Sequence, residues 1–176
     1  MVTEERNNEM RYFMLETIRQ YARERLFEAK QSAAARDRHF VYFDELSEKI
    51  WEAYRSSDAL AWRDKSEDDL ENMRAALEWG MEHHTEVALH LAANYCLISG
   101  SLVNPTEALR LLKSALDQVR SLAPVEGEAN LHRLKLIASA LFVQGMVGMG
   151  GAGFPQVLQS FQEAIAISRI TGDKRI

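Results

Sequence analysis

The chain has 176 residues, of which 47% are hydrophobic and 27% are charged, and its formal net charge is −5 at pH 7. This composition predicts one packed domain, or a small domain with an appendage, and excludes a disordered chain. Charge alone does not indicate nucleic-acid binding, no apolar run is long enough to cross a membrane, and the single cysteine excludes an internal disulfide.

The first 14 residues are a polar tail that ends in the one stretch that reads as extended, Arg11–Met14. A lone strand is not stable by itself. From Leu15 onward the apolar residues recur with the 3.6-residue period of an amphipathic helix. The pattern predicts an all-α fold of about seven helices. Its apolar stripes are Leu15/Ile18/Ala22/Leu26, Phe40/Phe43/Leu46/Ile50/Tyr54 and Leu70/Met73/Ala76/Leu77/Trp79, followed by stretches near 86–99, 104–121, 128–146 and 155–171.

Start and stop signals agree with these helices. Asn104-Pro105 combines an N-cap residue with a proline at the first helical position, and Pro155 marks a second start. Ser66 precedes three acidic residues, as expected for a first helical turn. The pair His83-His84 suits a helix end, and Gly172 suits a C-cap.

The C-terminal half repeats itself, which predicts two tetratricopeptide-like helical hairpins over 85–176, preceded by a helical linker region over 15–84. Each unit is read as a helix, a glycine turn and a second helix. The alternative is an ordinary helical bundle with chance similarity. The matching positions are Leu89, Ala92, Ala93, Cys96 and Gly100 with Leu134, Ile137, Ala138, Leu141 and Gly145, and Ala108, Leu112, Ala115 and Leu116 with Val157, Phe161, Ala164 and Ile165.

A glycine-rich stretch, GMVGMGGAGFP over 145–155, contains a G-x-G-x-x-G string. A dinucleotide-binding loop needs a preceding strand, and here the preceding segment has helical periodicity. We therefore interpret Gly145 as the turn glycine of the repeat and 146–153 as an exposed apolar insertion, or alternatively as a docking site. A nucleotide-dependent oxidoreductase would require a strand before this string, and the helical periodicity argues against one.

The remaining chemistry-bearing residues indicate structure and not catalysis. The five histidines show no metal-ligand spacing, and no Ser or Cys has a catalytic motif around it. Cys96 is predicted to be a core thiol, and the central aromatic residues are predicted to be core. No enzyme activity, metal or cofactor is expected. The histidines are His39, His83, His84, His90 and His132, and the aromatic residues are Trp51, Trp62, Trp79, Tyr42 and Tyr54.

The repeat register also predicts a partner-binding face, because the first helices of tetratricopeptide units line a groove. The polar residues on that face are His90 and Asn94 in the first unit and Lys135 and Ser139 in the second. The alternative is that these side chains form ordinary solvated surface.

Residues 12–26, YFMLETIRQYARERL, resemble the end of the winged-helix module in large bacterial signal-transduction NTPase regulators of transcription. The segment 72–79, NMRAALEW, resembles a helix of the tetratricopeptide-like arm that follows in that family. The resemblance spans nearly the whole chain. The sequence shows no P-loop, no complete winged helix and no recognition helix, so the family's ATPase and DNA-binding activities do not carry over.

The resemblance implies a non-enzymatic arm for protein interaction or sensing within a transcriptional regulator. The alternative is a sensor domain that holds a small effector between its helices. We expect a protein partner or self-association in the cytoplasm, with no direct nucleic-acid binding and no membrane. A stack of so few repeats exposes apolar ends unless they are capped.

Overall fold

A computed structural model of the chain describes residues 2–6, 9–54, 66–102, 105–150 and 153–173. Helices dominate these residues, which confirms the predicted all-α class with about seven helices and a short extended N-terminal segment. The elements are β1 (Val2–Arg6), β2 (Glu9–Phe13), α1 (Glu16–Glu28), α2 (Ser32–Tyr54), α3 (Leu70–His83), α4 (Thr85–Leu102), α5 (Pro105–Ser121), α6 (Gly127–Gly148) and α7 (Phe154–Thr171).

The sequence indicated a lone N-terminal strand, but the structure pairs this strand with a second one. β2 pairs antiparallel with β1, in a register that places Val2 opposite Phe13 and Arg6 opposite Glu9. The strand β1 escaped the sequence analysis because VTEER carries a single large apolar residue and no alternating pattern. The side chains of Met10 and Tyr12 are exposed, and α1 buries none of its residues.

The helices from α2 onward form three consecutive hairpins: α2 packs on α3, α4 on α5, and α6 on α7. The first helices also pack in a row, α2 on α4 and α4 on α6, while α3 contacts α4 and α5 contacts α6. Within the described residues, the extensive contacts join only helices that are at most two places apart in the chain. Each hairpin is therefore held by its immediate neighbours.

One hydrophobic core runs through these hairpins, from Phe40 on α2 to Ala164 on α7. Met73, Leu89 and Leu112 are among its fully buried side chains. Cys96 is also fully buried, which confirms the predicted core thiol, and burial raises its pKa to about 12. A thiol with such a pKa is not a nucleophile at neutral pH.

The two glycines interpreted as repeat turns lie inside helices, so that interpretation was wrong. Gly100 belongs to α4, and a methyl group in place of its hydrogen would come within 2.6 Å of Val147. Gly145 belongs to α6, and a methyl group there would come within 2.7 Å of the Phe161 ring. Their equivalence has a different cause: each lets a neighbouring side chain approach the helix backbone.

The helix ends largely follow the sequence signals. Pro155 lies in the first turn of α7, and Gly172 ends that helix in the left-handed conformation, with φ of 67°. His83 is the last residue of α3. Helix α3 begins at Leu70, later than Ser66 and its acidic neighbours indicated, because a turn at Asp68 and Asp69 interrupts the helical conformation there.

Candidate interaction surfaces

His90 links α4 to α2 through two carboxylates. Its Nδ1 lies 2.8 Å from Asp44 Oδ1, and its Nε2 lies 2.6 Å from Glu48 Oε2. Both ring nitrogens therefore face acceptors, an arrangement that suits the doubly protonated imidazolium. Hydrogen bonding to Asp44 is the main cause of a raised His90 pKa, and burial opposes it.

Asn94 extends this network into the interior. It is only 5% exposed, and its Nδ2 donates to Ser47 Oγ at 2.9 Å. Ser47 in turn donates to the Asp44 carbonyl oxygen at 2.7 Å. Helix α2 thus covers His90 and Asn94 on the face where the sequence analysis placed a binding groove, and their polar groups are used between helices.

The His90 linkage predicts a pH-dependent stability. Because the folded pKa is raised above the unfolded value near 6.5, its contribution is fully present below that value and is lost as pH rises through the folded pKa. Urea titration from pH 5 to 9 measures the free energy of unfolding. In the wild type this free energy should contain a decline with rising pH from His90, and the His90→Gln variant should lack this decline. Replacing the exposed His132 on α6 with glutamine is the control, and an equal decline in wild type and His90→Gln would contradict the assignment.

Lys135 and Ser139, the other two predicted binding residues, are exposed on α6. They lie four residues apart on one face of the helix, so they are available to a partner. The structure thus brings His90 and Asn94 together under α2, whereas Lys135 and Ser139 remain exposed.

A second polar cluster joins the start of α2 to the end of α3. Asp37 Oδ1 accepts hydrogen bonds from Trp79 Nε1 at 2.9 Å and from His84 Nε2 at 2.8 Å. The His84 bond lowers the Asp37 pKa, with a further contribution from Trp79. Trp79 and the partly buried Trp51 pack against the core as predicted, but Tyr42 is exposed, and Trp62 and the Tyr54 side chain lie outside the described residues. This cluster therefore fixes the α2–α3 hairpin.

A groove of about 480 Å³ lies between α5 and α7. Its lining includes the partly exposed Leu109 and the buried Leu116 and Leu141, and the polar lining includes Gln144, Gln156, Gln159 and Ser160. Arg120 Nη2 and Glu163 Oε1 form an ion pair across it at 2.5 Å. This groove was not predicted, because the repeat pattern indicated binding on the first helices of the hairpins, whereas the groove is lined chiefly by two second helices.

The glycine-rich string has no strand before it. Helix α6 continues to Gly148, and Met146 and Val147, expected in an exposed loop, pack against the core. Met149 is exposed, and Gly153 directly precedes α7. The pattern G-x-G-x-x-G therefore spans the end of one helix and the approach to the next, without the strand that a dinucleotide loop requires.

The described residues contain neither a cluster suited to a metal ion nor a helix suited to cross a membrane. No group of three or more His, Cys, Asp or Glu side chains is arranged to hold a metal ion there. None of the helices in the described part of the chain combines the length and apolar character needed to cross a membrane.

Comparison with known proteins finds relatives along the whole chain. Proteins provisionally named HTH-type transcriptional regulators, one from Mycobacterium bovis and two from strains of Mycobacterium tuberculosis, are 26% identical over 174 residues. The match covers 98% of this chain and 19% of each relative, so the chain spans about a fifth of their length. No family model matches the chain, and no solved structure matches it significantly.

This comparison corrects one expectation. Direct nucleic-acid binding was not expected from the sequence, whereas the relatives are named as helix-turn-helix regulators of transcription, a name that points to nucleic-acid binding. The exclusion depended on the net charge of this segment and on the missing recognition helix. Neither observation decides the matter for a chain that matches a fifth of its relatives' length.

Proposed function

We propose that this chain is a non-enzymatic interaction and sensing arm of a transcriptional regulator of the signal-transduction NTPase type. The arm is a tetratricopeptide-like α-solenoid, and the β1–β2 hairpin with its following segment corresponds to the tail of a winged-helix module. The cytoplasm is its proposed location. The alignment with transcriptional regulators along 98% of the chain supports this assignment.

One structural observation carries the proposal: three successive helical hairpins pack on their immediate neighbours. Proteins built this way present extended surfaces formed by successive repeats, and they use these surfaces for binding. The described titratable clusters around His90 and Asp37 join helices to one another. A binding role is consistent with this use of the polar groups.

The groove between α5 and α7 is the proposed binding site on this arm. The partly exposed Leu109 in its lining offers an apolar contact for an aliphatic side chain. The carboxamides of Gln156 and Gln159 both donate and accept hydrogen bonds, as the backbone of an extended peptide requires. The exposed α6 face at Lys135 and Ser139 is a second proposed contact.

A small effector is the second candidate occupant, favoured by the groove volume of about 480 Å³. Small-molecule sites commonly occupy about 300–1,000 Å³. The effector would lie between helices, on the same apolar surface and glutamine side chains. The two occupants differ in mass, which makes them separable by experiment.

Site-specific photocrosslinking in the host cells tests the proposal. Benzoylphenylalanine is placed at Gln159 in the groove, at Lys135 on α6, or at the exposed control position Glu67. We expect a discrete protein adduct from Gln159 or Lys135 and none from Glu67. Equal labelling at all three positions, or none, would contradict the interaction arm. A mass increase of a few hundred daltons on the purified chain in native mass spectrometry would instead support the small effector.

A further inference from the structure

The junction between α2 and α4 contains a chain of hydrogen bonds whose directions are fixed. Ser47 is fully buried, and its hydroxyl donates to the Asp44 carbonyl oxygen at 2.7 Å. Since that proton is used, Ser47 Oγ accepts the bond from Asn94 Nδ2 at 2.9 Å. This bond uses one of the two N–H groups of Asn94, and it determines which end of the carboxamide faces α2.

The second N–H of Asn94 is within reach of the His90 ring, because Asn94 Nδ2 lies 3.3 Å from His90 Nε2. The same ring nitrogen lies 2.6 Å from Glu48 Oε2. A protonated Nε2 donates a hydrogen bond, and of these two groups only the carboxylate accepts one. An unprotonated Nε2 accepts a hydrogen bond, and only the Asn94 N–H donates one. The proton on Nε2 therefore decides which of the two groups His90 binds.

The other ring nitrogen, Nδ1, faces Asp44, whose Oδ1 lies 2.8 Å away. The Asp44 side chain is 21% exposed and the Glu48 side chain is 46% exposed. Glu48 therefore turns into water at a lower cost than Asp44, which would stay largely buried without its partner. The hydrogen bonds of a neutral histidine set its tautomer. We expect the neutral ring to keep its proton on Nδ1, bound to Asp44, and to leave Nε2 unprotonated.

The charges that act on the ring come from α2. Asp44 and Glu48 both raise the His90 pKa, and among the described residues no charged side chain of α3, α5 or α6 pairs with the ring. Three charged side chains close to the network in sequence have other surroundings: Glu45 and Lys49 are exposed on α2, and Glu86, one turn before His90 on α4, pairs with Arg133 of α6. Protonation of His90 is therefore linked to the contact between α2 and α4.

We propose that the α2–α4 junction is a proton switch in which His90 exchanges Glu48 for Asn94. The charged ring binds two carboxylates of α2, one through each nitrogen. When the ring loses its Nε2 proton, Nε2 accepts from Asn94 on its own helix and Glu48 turns to solvent, so the ring keeps only Asp44 on α2. The first hairpin is then held less firmly on the second as pH rises. This inference goes beyond the proposed function, because it concerns the junction between two hairpins and not a binding partner.

Nitrogen-15 NMR of the histidine rings from pH 5 to 9 tests the switch, because the two ring nitrogens have different chemical shifts when protonated and unprotonated. The His90 signals are those that disappear in His90→Gln. We expect both nitrogens to be protonated at low pH and Nδ1 alone at high pH. A neutral ring with its proton on Nε2 would overturn the proposal, as would a ring whose protonation does not change over this range.

Two variants test the two exchanged groups separately. Glu48→Gln removes the carboxylate that binds the charged ring and should lower the measured His90 pKa. Asn94→Leu removes the donor to the neutral ring, so it should raise this pKa and weaken the preference for Nδ1. The matched control, Glu45→Gln, makes the same change at an exposed position of α2 and should alter neither the pKa nor the tautomer. A wild-type pKa and tautomer in a folded Asn94→Leu chain would overturn the exchange.

A double-mutant cycle between Glu48→Gln and His90→Gln checks the release of Glu48 without altering the buried Asn94. Urea unfolding of the four chains should show a coupling between the two residues at pH 5 and its loss at pH 9. A coupling of equal size at both pH values would overturn the proposal. None of these measurements involves a partner, so the switch and the crosslinking from Gln159 can fail independently.

Discussion

Replacing Leu116 with alanine is expected to lower the free energy of unfolding by about 2–5 kcal/mol, because the change empties a fully buried site in the core. Leu116 is 1% exposed and contacts the region where α5, α6 and α7 meet. The same type of truncation at its repeat counterpart, Ile165→Ala, should cost about 1 kcal/mol or less at low protein concentration, since that side chain is 46% exposed.

Urea unfolding of the wild type and both variants at a low protein concentration measures this difference. Equal costs for the two variants at low concentration would show that the core does not end where the structure places it.

Much of the helical framework could be predicted from local sequence. Apolar periodicity located the seven helices, and Pro155 and Gly172 marked the ends of α7, because these signals depend on the backbone of a few neighbouring residues. The pairing of β2 could not be predicted, because β1 has a polar composition and its partner is selected by the hairpin as a whole.

The surfaces were harder to predict than the helices. His90 and Asn94 occupy the same register as Lys135 and Ser139, yet α2 covers only the first pair. Exposure depends on which helix packs alongside, and that is a property of tertiary structure that the repeat pattern does not contain. The ion pairs between successive hairpins have the same origin, since their partners lie roughly 33 to 47 residues apart in sequence.

The groove between α5 and α7 illustrates the same limit. Its apolar residues were visible as part of an amphipathic stripe, and its glutamines looked like solvated surface. Only the position of α7 beside α5, which brings Arg120 and Glu163 into an exposed ion pair, turns the two helix faces into one concave site. A binding site formed by two separate helices depends on how the helices pack, so no local sequence motif predicts it.

Replacing Gly145 with valine is expected to lower the free energy of unfolding by about 1–3 kcal/mol, the usual cost of overpacking a close contact. The first added carbon would lie 2.7 Å from Phe161 Cε1, so the ring or the α6–α7 spacing must shift. This cost outweighs the gain of removing a glycine from a helix interior, about 1 kcal/mol or less. Ser139→Val on the exposed face of α6 is the control for helix propensity and should change stability by about 0.5 kcal/mol at most.

A double-mutant cycle with Phe161→Leu identifies the cause. If Gly145 serves to admit the Phe161 ring, the smaller leucine relieves the overlap, and the cost of the double variant falls below the sum of the single costs by about 0.5–3 kcal/mol. If the Phe161 ring were not the cause, the two costs would simply add. Thermal and urea unfolding of the four chains distinguish these outcomes, and additive costs would show that Gly145 does not serve to admit the ring.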